Sequence, residues 1–334
     1  MMEISKEKKE KKKRIVSIWV CILIFIGAFF AGMISKVAIK PAWSTKYTAT
    51  WSEELGTKIT DISYGDEEAN KFDLYLPKDS TKDTYGLVIY LHAGGFTSGD
   101  KADDENMLAW LCSKGYVAAG INYTLRTDTN NASVLLQSNE IKEAIPIVVE
   151  EAKNRGYNID KMTVAGGSAG HALAMIYAYR DAQDAQDAPV PVVFTFGAVG
   201  PSCFYVEDWG VYGLDQNTEE SRIAAANLFS VMGGVEITPE EIQNGSYTEK
   251  MKPISAAEWV SENPIPTVVA YGTCDKVQPF LASLRLKEAL EDNGVDYKYY
   301  ELPHSGHGLQ NDDRISEQWM ESIDEYLNKY MPVN

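Results

Sequence analysis

The chain has little of what builds metal or disulfide sites. It holds four cysteines and four histidines among 334 residues. Cys21 lies inside an apolar N-terminal run, which leaves Cys112, Cys203 and Cys274 far apart. An odd number at such spacing argues against a disulfide framework and offers no zinc-ligand pairing, so each is expected to be a small buried residue. Basic charge is also scarce. The net charge is −17; the first fourteen residues carry +4, from seven Lys/Arg and three Glu, so the remainder carries about −21. A body this acidic repels phosphate backbones, so nucleic acid is not an expected partner. No internal repeat is present. No lysine follows the glycine-rich turn around Ser168 in the way a phosphate loop requires. No cofactor or metal is expected, and no oligomeric state is implied.

A long apolar run occurs once. Residues 15–35, "IVSIWVCILIFIGAFFAGMIS", contain no charged side chain over 21 positions. About 20 such residues suffice for a helix to cross hydrocarbon. The basic block lies before the run, which predicts a cytoplasmic tail (1–14), a single-pass transmembrane anchor (15–35) and an extracytoplasmic body. A cleaved signal peptide, giving a secreted protein, is the rival; the run is long for one and no clear small-x-small site follows it. Residues 36–57 read as a linker, in which Trp43, Tyr47 and Trp51 either meet the membrane interface or pack on the body.

Beyond residue 58 short β-branched or apolar runs alternate with helical stretches. "KITDISY" and "KFDLYLP" suggest a leading antiparallel pair. "GLVIYLHA", "YVAAGINY", "KMTVAG", "VPVVFTFGAVG", "PTVVAYGTCD" and "DYKYYELP" read as further strands, several apolar on both faces. Helices fall between them, including "QSNEIKEAIPIVVEEAKNRG" with Pro146 expected to kink it. The alternation predicts an α/β domain over 58–334, with a mostly parallel sheet covered on both faces. Residues 200–262 interrupt it and are expected to form a lid or pocket wall. The aromatics of "SCFYVEDWGVYGL" would line a pocket there or fill the insertion's own core.

"TVAGGSAGHALA" places Ser168 between a strand and a helix, inside G-x-S-x-G. That is the layout of a nucleophile elbow, in which Gly166 and Gly170 remove side chains that would clash and the helix N-terminus faces the hydroxyl. "YLHAGGFTSGDK" follows another strand. The backbone N–H groups of Gly94 and Gly95 could approach an oxyanion there, with Ala169 N–H completing the hole. His92 reads as a loop-stabilising residue. A serine needs a neighbouring base. His304 and His307 lie in "ELPHSGHGL", after the last strand, and Asp275 follows the strand before it. The order Ser168, Asp275, His307 is that of an α/β-hydrolase.

With these motifs together, residues 58–332 resemble the α/β-hydrolase superfamily. They are most similar to the bacterial esterase/lipase group related to hormone-sensitive lipase and to BD-FAE feruloyl-esterase-like domains. The resemblance rests on "FDLYLP", "HAGGF…GDK", "GYVAAGINYTL", "VAGGSAGH", "YGTCDKVQP" and "HSGHG". It implies Ser168 as nucleophile, Asp275 as orienting acid and His307, in preference to His304, as base. It also implies Gly94, Gly95 and Ala169 as oxyanion donors, and a small-molecule carboxylic ester as substrate. An amide or peptide substrate, or a non-catalytic binding protein of the same fold, are the alternatives. Two positions depart from the pattern: Ala93 replaces a glycine, and His171 stands where another glycine is common. His171 is expected to be a packing residue.

Overall fold

The computed structural model describes residues 41–183 and 188–333. The basic tail and the expected anchor at 15–35 lie outside the described residues. Among the described residues no helix is long and apolar enough to cross a membrane.

Eight strands form one sheet: β1 (Gly56–Ser63), β2 (Lys71–Pro77), β3 (Tyr85–Leu91), β4 (Val117–Ile121), β5 (Ile159–Gly167), β6 (Val192–Ala198), β7 (Thr267–Gly272) and β8 (Tyr297–Leu302). Their order across the sheet is β1-β2-β4-β3-β5-β6-β7-β8. β1 and β2 are antiparallel, β2 meets β4 antiparallel, and every pairing from β4 to β8 is parallel. The expected leading hairpin and parallel sheet are therefore present. Leu87, Ile89 and Leu91 of β3 are fully buried, and each contributes about 1.5–3 kcal/mol of apolar burial.

The helices are α1 (Glu105–Ser113), α2 (Val134–Asn154), α3 (Ala169–Ile176), α4 (Glu219–Gly233), α5 (Pro239–Asn244), α6 (Tyr247–Met251), α7 (Phe280–Asp292) and α8 (Asp313–Tyr330). The helix α2 runs through Pro146 as one element, with Ser133 capping it by accepting from Leu136 N–H. All eight residues of α3 are buried, because it packs between the sheet and its neighbours. Residues 200–262 form short turns and α4–α6 between β6 and β7.

The body begins before residue 58. Tyr47 packs edge-on against Trp110, and Trp51 edge-on against Tyr75, at ring separations of 5.7 and 5.1 Å. These two aromatics of the predicted linker belong to the body. Cys112 and Cys203 are buried as expected, but Cys274 is exposed. It sits in the loop after β7 with its side chain exposed, while the next residue, Asp275, is buried.

The strand order reverses around β3: the chain goes from β3 to β4 on one side and then to β5 on the other. Such a switch point opens a crevice at the C-terminal strand ends. The loops after β3 and β5 flank it, and those after β7 and β8 reach the same edge.

One carboxyl resists this packing. Asp104, just before α1, has a buried oxygen with no hydrogen-bond partner. Burial, aided by the charge of Asp103, raises its pKa to about 7. The folded chain holds a proton there that the unfolded chain, with a carboxylate pKa near ~3.9, has released. Stability therefore falls as pH rises from the unfolded value through the folded one. Asp104→Asn should raise the melting temperature more at pH 8 than at pH 4; equal shifts at both would contradict the assignment.

Candidate active site

Ser168 stands at the bend between β5 and α3 with φ 50° and ψ −117°. That conformation costs a non-glycine residue about 1–3 kcal/mol and persists only where the surroundings enforce it. Here Ser168 N–H donates to Ala198 C=O at 2.9 Å, and Ser168 C=O accepts from Ala172 N–H at 3.1 Å. The bend also needs bare neighbours. A Cβ on Gly170 would lie 1.9 Å from the Leu91 carbonyl oxygen, and one on Gly166 would lie 2.5 Å from the Gly170 carbonyl carbon. The two glycines let the elbow press directly on the end of β3.

The loops after β7 and β8 bring two more side chains to the serine. Ser168 Oγ lies 2.8 Å from His307 Nε2. His307 Nδ1 lies 2.8 Å from Asp275 Oδ2. A carboxylate can only accept, so Nδ1 carries the proton and Nε2 is free to accept from the serine hydroxyl. Asp275 is buried, and its other oxygen accepts from Val277 N–H at 2.7 Å and Gln278 N–H at 3.0 Å. The carboxylate is thus held by three donors and cannot turn away from the imidazole.

His304 is placed elsewhere. It is exposed, and its Nδ1 lies 2.8 Å from Asp312 Oδ1. His92 donates from Nδ1 to Ala93 C=O at 2.7 Å and stacks on Tyr123 at 4.3 Å. Tyr123 O–H donates back to His92 C=O at 2.9 Å. Those contacts fix the loop after β3, as its sequence suggested. His171 is fully buried and accepts from Gly200 N–H at 3.1 Å. Burial drives its pKa down to about 3, so it stays neutral. It packs beneath the elbow and does not line the cavity.

A cavity of about 310 Å³ opens beside Ser168, at the small end of ligand sites. Gly95, Ala169 and His307 line it with the serine, while the carbonyl of the adjoining Gly94 accepts from Thr97 and Ser98 N–H. Among the described residues, the backbone N–H groups of Gly95 and Ala169 donate to no protein acceptor. Ala169 N–H is at the first turn of α3, where the helix dipole favours negative charge.

The insertion supplies the opposite wall through Trp209, Tyr212, Leu228, Val231 and Met232. Trp209 serves both expected roles. It stacks on Phe204 at 5.3 Å and meets Phe229 edge-on at 5.6 Å, within the insertion's own core, and it also faces the cavity. Tyr212 O–H donates to Val277 C=O at 2.8 Å, which ties the insertion to the loop of Asp275.

Sequence reasoning missed two supporting side chains. Buried Asp312 accepts from His304 N–H at 3.0 Å and Ser305 Oγ at 2.7 Å, which braces the loop carrying His307. It stands just before the last helix, in "QNDDR", where an acidic residue carries no distinctive signal. Gln137, buried on α2, donates from Nε2 to Phe96 C=O and Thr124 C=O at 2.9 and 2.8 Å. It pins the loop after β3, and its only sequence signal was a polar residue on an apolar helix face.

The family model BD-FAE matches residues 72–290, a span that includes Ser168 and Asp275. The chain belongs to the BD-FAE family. Kynurenine formamidase of Danio rerio is 30% identical to this BD-FAE chain over 120 residues, 35% of the chain and 38% of that protein. Esterase LipC of Mycobacterium tuberculosis is 23% identical over 250 residues, 74% of the chain and 59% of that protein. The chain thus spans less than two thirds of the length of these curated relatives. Among solved structures, a thermophilic esterase from Thermogutta terrifontis matches with a TM-score of 0.63 at 19% identity, covering 84% of this chain and 95% of that one. Esterase B from Lactobacillus rhamnosis matches with a TM-score of 0.59 at 18% identity, covering 92% and 94%. These likenesses agree with the α/β-hydrolase fold expected of a BD-FAE domain.

The close approach at the elbow yields a test. Gly170→Ala should lower the melting temperature well beyond Gly167→Ala, because an added Cβ lies 1.9 Å from the Leu91 carbonyl oxygen at the first site and no nearer than 3.9 Å to the Tyr90 hydroxyl at the second. Equal losses would mean that contact does not hold the bend.

Proposed function

We propose that this chain is a serine hydrolase of carboxylic esters that works through an acyl-enzyme. The observation that carries the reading is the hydrogen-bonded sequence Ser168–His307–Asp275 at the wall of an apolar cavity. Ser168 Oγ attacks the ester carbonyl carbon as His307 Nε2 takes its proton. The carbonyl oxygen becomes an oxyanion held by the backbone N–H groups of Gly94, Gly95 and Ala169. Collapse breaks the bond to the alkoxy oxygen, and His307 returns the proton to the departing alcohol. Water then attacks the acyl-enzyme by the same steps, releasing the acid and the free serine.

Asp275 orients the imidazole and stabilises its charged form. Its two backbone donors, Val277 and Gln278 N–H, hold its other oxygen in place. An amide substrate is the second reading, favoured by the similarity to kynurenine formamidases. Nothing in the proton path separates the two; the leaving group does. We propose further that residues 15–35 hold this domain at a membrane, outside the cytoplasm. The 21 uncharged residues and the basic block before them support that placement.

The test is labelling by a fluorophosphonate together with hydrolysis of p-nitrophenyl esters and formanilide. Wild-type protein should label, and Ser168→Ala should not. Ser168→Ala and His307→Ala should each lose on the order of 10⁴-fold or more in kcat. His304→Ala should keep most activity, since His304 faces solvent. Labelling that survives in Ser168→Ala, or an inactive His304→Ala with an active His307→Ala, would refute the assignment.

A further inference from the structure

The cavity wall holds one unexplained charge. Arg126 lines it together with Phe96, Thr97 and Ser168. No Asp or Glu lines it, although the chain has 48 acidic residues against 31 basic ones. Among the described residues no carboxylate pairs with the Arg126 guanidinium. Its one side-chain hydrogen bond runs from Nη1 to Ala132 C=O at 2.9 Å. A guanidinium carries five N–H donors in a planar fork that matches a carboxylate. Most of that capacity is therefore unspent.

The position is also tied to the reaction centre. Arg126 N–H donates to Phe96 C=O at 3.0 Å, and Phe96 directly follows Gly95. Gln137 Nε2 donates to the same carbonyl. The arginine is thus one backbone hydrogen bond away from the oxyanion strip. An unpaired cation in a largely apolar wall is unfavourable by itself and becomes favourable once an anion enters. The acidic surface opposes this only weakly, since charges beyond a Debye length of about 8 Å are screened.

We propose that Arg126 recognises a carboxylate on the substrate, so that the preferred esters are anionic ones. This rests on the hydrolase reading given above and adds the substrate class to it. The carboxylate sits on either the acyl or the alcohol side of the scissile bond. The Nη1 bond to Ala132 holds the fork in place, and the remaining donors take the carboxylate. Arg126 takes no part in proton transfer.

Two matched pairs of esters test this. On the acyl side, mono-p-nitrophenyl adipate is compared with p-nitrophenyl hexanoate. On the alcohol side, the butyrate ester of 4-hydroxybenzoic acid is compared with that of 4-hydroxybenzamide. The readout is the ratio of kcat/KM for the charged ester over the neutral one. In at least one pair, Arg126→Met should cut that ratio by about 10- to 100-fold, the range of hydrogen bonds to charged groups. Arg126→Lys should restore part of it, because the charge returns without the fork.

A ratio that does not move in either pair overturns the proposal. So does an equal fall for charged and neutral esters, which would make Arg126 a brace of the loop or a contributor to the oxyanion field. If the wild type turns over no ester of either pair, the hydrolase reading itself fails and the substrate class falls with it.

Discussion

Everything at this site depends on one backbone contact, the elbow lying directly against the end of β3. Ser168 adopts the backbone angles of the first central residue of a type II′ turn, a place that glycine usually takes. It is held there because Gly166 and Gly170 let α3 come within van der Waals distance of Leu91. The strain is local and small beside the burial of β3 and α3, which are apolar almost throughout. The fold can therefore sustain a serine that a looser structure would relax. The same contact sets the loop after β3 beside the serine, so that Ser168 and the Gly94–Gly95 strip share a single constraint.

The remaining geometry is electrostatic. Asp275 is buried and pairs with an imidazole as well as with two backbone N–H groups. A carboxylate so held is a fixed acceptor, which sets the tautomer of His307 without any motion. The cavity beyond is apolar, so donors aimed into it act with little competition from water. The insertion closes the far side and is tied by Tyr212 to the loop of Asp275. Pocket wall and acid loop are in this way joined, which links the shape of the cavity to the position of the acid.

Much of this was legible in the sequence because the demands are local. A strand, a glycine on each side of a serine two positions away, and a helix specify the elbow in a few residues. Apolar runs with covered faces specified the parallel strands. The preference for His307 over His304 agrees with the geometry, since only His307 reaches Ser168. What remained hidden depends on long-range contact. Asp312 braces its loop through the backbone and a serine, Gln137 reaches across from a helix to two carbonyls, and Arg126 is set apart from other arginines without a carboxylate partner only by its place in the cavity wall. None of these has a periodicity or motif. Cys274 was expected inside because cysteines usually are, but its loop faces solvent. The aromatics of the insertion fill its core and also line the cavity, a combination that composition alone does not separate.

The central claim is that the Ser168 hydroxyl becomes covalently acylated during turnover. The most direct measurement is acid quenching of the protein during turnover of p-nitrophenyl butyrate, followed by peptide mass spectrometry. The account predicts one butyryl group on the peptide containing Ser168, appearing with a burst of p-nitrophenol and absent from His307→Ala. Turnover with no acyl adduct, or an adduct on another residue, would contradict it.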